Sequence, residues 1–154
     1  MSLFKKVFIF IGIVVLGIQF FRPALNKSNQ AFETDISRIV VTSDSVRTLL
    51  KIACYDCHSN NTKYPWYSNI QPIGWLMAFH IKQAKNVLNF SEFGSYAQRR
   101  QLSKLDGIAN SIKDDIMPLS SYKLIHKNAI LSTNEKQLLL KWVQLVKDSL
   151  SIKN

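Results

Sequence analysis

An all-α fold follows from three features of the chain. Three segments after residue 71 place apolar residues at spacings of three and four. No stretch alternates apolar and polar as a half-buried strand would, and the dipeptides that close hairpins are scarce. At 154 residues the chain is one domain's worth, and 47% hydrophobic against 19% charged residues fits an ordered globular unit.

The first element is "VFIFIGIVVLGIQFF", 15 residues with Gln19 as the one polar member, preceded by Lys5 and Lys6 and closed by Arg22 and Pro23. A cleaved secretory signal needs small residues at its cleavage site, and this core ends in bulky or charged ones. No cysteine follows for a lipoprotein signal. The expectation is therefore an uncleaved signal anchor over residues 1–22. Fifteen helical residues reach about 22 Å, short of the roughly 30 Å hydrocarbon layer. Extension to Leu3 and snorkelling of Lys5 and Lys6 narrow the gap. The flanking charges do not set the orientation.

Residues 23–43 read as a polar connector, with a short apolar patch at Ile39 to Val41. The folded domain is expected over 44–150, opening at Asp44 as N-cap of "SVRTLLKIAC". An ordered loop, "HSNNTKYPWYSNIQP", follows. "PIGWLMAFHIKQAKNVL" reads as a helix with the stripe Ile73, Leu76, Met77, His80, Ile81, Ala84 and Leu88. The next helix carries Leu102, Leu105, Ala109 and Ile112, with Ser95 and Gln98 spaced as a capping box. Pro118 biases Met117 out of helical geometry. Ser132 and Glu135 form a second capping box at the head of a last helix.

The net charge of +10 admits nucleic acid, anionic lipid or an acidic protein as partner. The basic residues come singly or in pairs, without interleaved aromatics, which argues against nucleic acid.

The chemistry concentrates in "IACYDCHSNN". Both cysteines of the chain, Cys54 and Cys57, stand three apart with His58 next. A structural zinc site wants four ligands, and no second cysteine pair or paired histidines supply them. A thioredoxin-like dithiol opens a helix after a strand, whereas here a helix leads into the pair. Covalent haem accounts for the whole spacing: two thioethers about one helical turn apart and an axial imidazole beside the second. Such attachment generally takes place outside the bacterial inner membrane. The sequence therefore predicts one haem c, bound through Cys54 and Cys57 with His58 as proximal ligand, on a single-pass inner-membrane protein facing the periplasm.

"CYDCHSNNTKYPWYSNIQPIGWLMAFHI", "LNFSEF", "MPLSSYKLIH" and "LSTNEKQLLLKW" together resemble the bacterial haem-binding-domain family, a cytochrome c-like group common in Bacteroidetes. "QFFRPALN" fits that family's usual beginning. The resemblance runs from about Gln19 to Trp142 and implies a membrane-anchored c-type haem protein with a cytochrome c-like helical domain, but no defined reaction. One departure is visible: where the family carries an acidic residue and a glycine after the helix histidine, this chain has Lys82, Gln83, Ala84 and Lys85.

Met117 is the expected distal ligand, since it lies in a proline-stiffened loop downstream of the cysteines and ahead of a terminal helix, the order used by cytochromes c. His80 is the alternative. Trp66, Tyr67, Trp75, Met77, Phe79, His80, Tyr122 and His126 are candidate pocket residues, because haem offers a large apolar face to cover. The leading function is one-electron transfer, with the basic surface steering an acidic redox partner. A haem-based sensor or ligand-binding domain is the alternative, and a peroxidase-like enzyme ranks below it.

Overall fold

The computed structural model describes residues 2–28 and 30–152, so Met1 of the expected anchor and Asn29 of the expected connector lie outside it. Eight α-helices are present among the described residues: α1 Leu3–Ile18, α2 Ile36–Ile39, α3 Asp44–Leu50, α4 Asp56–His58, α5 Ile73–Val87, α6 Gln98–Lys113, α7 Ser120–Ile125 and α8 Thr133–Ile152. Lys51–Tyr55 forms a π-turn between α3 and α4, and 3₁₀ turns occupy Trp66–Asn69, Phe90–Ser95 and Lys127–Ala129. A single isolated bridge, Lys27 to Asn61, is the β-type pairing found among the described residues. The expected all-α class holds.

The core sits where α6 and α8 pack together under α3. Leu105 and Ile112 from α6 meet Leu139, Trp142, Val143 and Val146 from α8 and Val46, Leu49 and Leu50 from α3. Phe90 and Phe93 on the 90–95 turn fill the gap beside them. Each such aliphatic or aromatic side chain contributes about 1.5–3 kcal/mol by leaving water. The Ser132–Glu135 capping box forms as expected: the Ser132 hydroxyl accepts from Glu135 N–H at 3.3 Å, and Glu135 accepts from Ser132 N–H at 2.7 Å. The Ser95–Gln98 box does not form. Ser95 donates to Glu92 O within its 3₁₀ turn, Gln98 reaches Leu150 O, and Ala97 stands at the N-cap of α6.

The first domain helix also starts one residue early, with Ser43 rather than Asp44 at the cap, accepting from Val46 N–H. Parts of the stretch read from sequence as a connector pack against the domain. Ile36 is fully buried in the core. Asn26 accepts from Thr62 N–H through its carbonyl and donates through its amide to Ser59 O and Thr62 Oγ1.

No described helix is long and apolar enough to cross a membrane. The 16 residues of α1 reach about 24 Å at 1.5 Å each, against about 30 Å of hydrocarbon. The transmembrane anchor expected from the sequence is therefore not supported. The helix stops where Gln19 leaves it: its side-chain oxygen accepts from Gln71 N–H at 2.9 Å and its amide donates to Gln71 O at 3.1 Å. Pro23 then disfavours helical geometry at Arg22.

Candidate haem site

The two cysteines lie on one continuous helical run that changes pitch. Cys54 is in the π-turn and Cys57 in α4, and π-turns of this kind recur at functional sites. The pitch change is followed by extended backbone at Ser59, which ends the run directly after His58.

His58 is fixed by a contact the sequence did not announce. Its Nδ1 lies 3.0 Å from Leu88 O, at the C-terminal end of α5. A carbonyl only accepts, so Nδ1 carries the proton and Nε2 keeps its lone pair. Burial holds the imidazole below the usual histidine range, partly offset by the carbonyls of Leu88 and Ala84. The neutral ring is the form that binds a metal, and a ring N–H held by backbone is the usual partner of a ligating histidine.

Cys54 and Cys57 are both free thiols. Burial pushes Cys54 up to about 12 and Cys57 up to about 11. For Cys54 the neighbouring Cys57 adds to burial, and for Cys57 the Asp56 carboxylate does.

A cavity of about 330 Å³ opens between α4, α5 and the loop before α7. Cys54, Cys57, His58, His80, Met117 and Tyr122 all line it. A second cavity of about 220 Å³ adjoins it on the α6 side and shares Cys54, His58 and Met117. A third, of about 150 Å³, shares Cys57, His80 and Tyr122 and adds Tyr67, Met77 and His126. The motif thus forms the common wall of one long, mainly apolar slot, with two thiols and a free imidazole nitrogen presented to it. That donor set in an apolar slot fits haem. Structural zinc finds no support, since no group of three or more His, Cys, Asp or Glu is placed to hold a metal ion among the described residues.

Eight of the expected ligand and pocket residues besides the motif and Met117 were named from sequence. His80, Met77, Tyr67, Tyr122 and His126 do line the slot. Tyr67 OH lies 2.7 Å from His126 Nε2, and Tyr122 stacks on the His126 ring at 4.1 Å. Trp66, Trp75 and Phe79 line none of the three cavities and lie exposed. Helical phase explains two of them: at about 100° per residue, positions 75 and 79 face away from 73, 77 and 80. Trp66 projects from its 3₁₀ turn at 77% exposure.

Asp56, between the two cysteines, was missed. Its carboxylate accepts from Tyr122 OH at 2.8 Å and from Lys63 N–H at 3.1 Å, while its carbonyl accepts from Thr62 Oγ1. Burial, then the Asp56 contact, raises Tyr122 above the usual phenol range. An acid inside the motif, one position before Cys57, was the available signal. Leu88 left none, because its contribution is a backbone carbonyl.

No curated protein and no solved structure gives a match to this chain. The family model described as a haem-binding domain matches residues 13–145, from within α1 to late in α8, and takes in the whole slot. With two thiols, an oriented imidazole and an apolar slot inside that match, the chain belongs to the haem-binding-domain family.

Proposed function

We propose that the protein is a c-type electron carrier holding one haem through thioethers to Cys54 and Cys57. The observation that carries this reading is that Cys54, Cys57, His58 and Met117 line one cavity while Leu88 O holds the His58 ring with Nε2 free. Bound haem would supply a one-electron iron couple. His58, oriented by the backbone, and Met117 would hold its iron through Nε2 and the thioether sulfur, a pairing that keeps small ligands off and raises the potential. Ala84, Val87, Pro118 and Leu119 exclude water from the slot.

The second reading, a ligand-sensing domain, rests on His80. It lines the same cavity as Met117 and brings a second imidazole to it.

The apolar, exposed α1 supports attachment to the inner membrane; covalent haem, generally attached outside that membrane, would put the domain on its periplasmic face, where the basic surface would steer an acidic partner. The test is an absorption spectrum of holoprotein from a host with cytochrome c maturation, oxidised and reduced, with and without carbon monoxide. A c-type spectrum unmoved by carbon monoxide is expected. A shift with carbon monoxide favours sensing through His80, and a protein without haem ends both readings.

A further inference from the structure

Exposed apolar side chains of the domain adjoin the end of α1. We propose that this face, made of the end of α1, the 66–69 turn, the outer arc of α5 and the end of α7, docks on an anionic bilayer surface. It deepens the membrane attachment proposed above and rests on it.

The first observation is how α1 enters the domain. Gln19 clamps both backbone groups of Gln71, and Trp75 Nε1 donates to Phe21 O at 2.6 Å. The helix is therefore not tethered by a loose linker; whatever medium covers it must also meet the residues around its exit. Between Val7 and Ile18 that helix has no polar side chain on any face, and each of its residues from Leu3 to Gly17 is exposed. Acyl chains cover such a helix on all sides, which a single protein groove does not.

The second observation is the surface at that exit. Phe21, Trp66, Trp75, Leu76 and Phe79 are all exposed, and the 66–69 turn packs against the start of α5. Ile125, at 61% exposure, lines the same cavity as Leu76. Trp75 has its indole N–H bonded and its ring outward, the amphipathic placement tryptophan takes at a membrane interface.

The third observation is charge. The stretches that carry these side chains, residues 19–28, 63–85 and 120–127, contain Arg22, Lys27, Lys63, Lys82, Lys85, Lys123 and Lys127 and no acidic residue. Of the carboxylates elsewhere, Asp56 is engaged by Tyr122 and Lys63 N–H, Glu92 by Asn60 and Asp115 by Lys136. Apolar side chains on stretches whose charges are all cationic match an anionic headgroup layer. Sinking such a face about 5–10 Å into the interface also offsets the shortfall of α1 against the hydrocarbon thickness.

The experiment uses full-length holoprotein in vesicles of phosphatidylcholine and phosphatidylglycerol that contain a photoactivatable acyl chain, with labelled peptides mapped by mass spectrometry. Label is expected on α1, on residues 64–82 and on 120–127, with severalfold less on 64–82 in phosphatidylcholine alone. The variant Trp66→Ser/Phe79→Ser alters two exposed side chains and should lose label at 64–82 while α1 stays labelled. Label confined to α1 overturns the proposal, as does label at 64–82 that disappears as the protein-to-lipid ratio is raised, which would make the face a self-association surface. Equal labelling in both vesicles overturns its electrostatic half. A normal haem spectrum with label confined to α1 sinks this inference and leaves the electron-carrier reading standing; a protein without haem but with label at 64–82 does the reverse.

Discussion

His58 Nδ1 and Leu88 O lie 3.0 Å apart across 30 residues of chain, and this contact ties the CxxCH motif to the end of the helix that forms the opposite wall of the slot. It sets the tautomer, so replacing the ring removes the proposed iron donor and a tie between α4 and α5 together. His58→Ala is expected to lose the low-spin spectrum of the wild-type holoprotein. Cys54→Ser/Cys57→Ser is expected to release its haem into acidified acetone, where the wild type retains it.

Met117 and His80 line the same cavity, so the two variants separate their roles. Met117→Ala should make the reduced spectrum respond to carbon monoxide and lower the midpoint potential, whereas His80→Ala should leave both close to wild type. The reverse pattern would make His80 the distal ligand.

The two thiols predict an alkaline limb in the stability of the protein prepared without haem. Their ordinary value is 9.0, and burial raises Cys57 to about 11 and Cys54 to about 12. The folded state therefore favours the protonated thiols. That contribution is fully present below pH 9.0 and is lost as pH rises through about 11 to 12. Urea midpoints should fall over this window, and Cys54→Ala/Cys57→Ala should flatten the fall. Alkylation of the native thiols should likewise stay slow until the same window, since the thiolate is the nucleophile.

Two serines that look alike in sequence should behave differently. Ser132→Ala breaks a formed capping box and should cost about 1 kcal/mol in urea unfolding. Ser95→Ala removes only a local bond at the exposed end of its 3₁₀ turn and should change stability by less than about 0.5 kcal/mol.

Asn26 fastens the chain after α1 to the loop after the haem motif, and its side-chain oxygen also accepts from Lys85 Nζ at 2.7 Å. Asn26→Ala takes these side-chain bonds from Ser59 O, Thr62 Oγ1 and Lys85 Nζ and should destabilise by about 1–3 kcal/mol, measured by denaturant unfolding. A freely hinged connector would show no effect.

The sequence alone determined what local chemistry dictates. Helical spacing placed Leu105 and Ile112 on the core face of α6, and capping residues marked the head of α8. Cys54, Cys57 and His58 pointed to haem because the spacing of a CxxCH motif is a short-range feature of the chain. Tertiary structure decided whatever depends on partners distant in the chain. Ser95 and Gln98 match the capping pattern, yet Glu92 O and Leu150 O take their hydrogen bonds. Trp75 and Phe79 looked like pocket walls by residue type, yet helical phase turned them outward. The polar stretch around Asn26 read as a linker because its partners, Ser59, Thr62 and Lys85, lie more than 30 residues away. Leu88 could not be found from its side chain at all, since what orients His58 is a backbone carbonyl that only the packing of α5 brings to the ring.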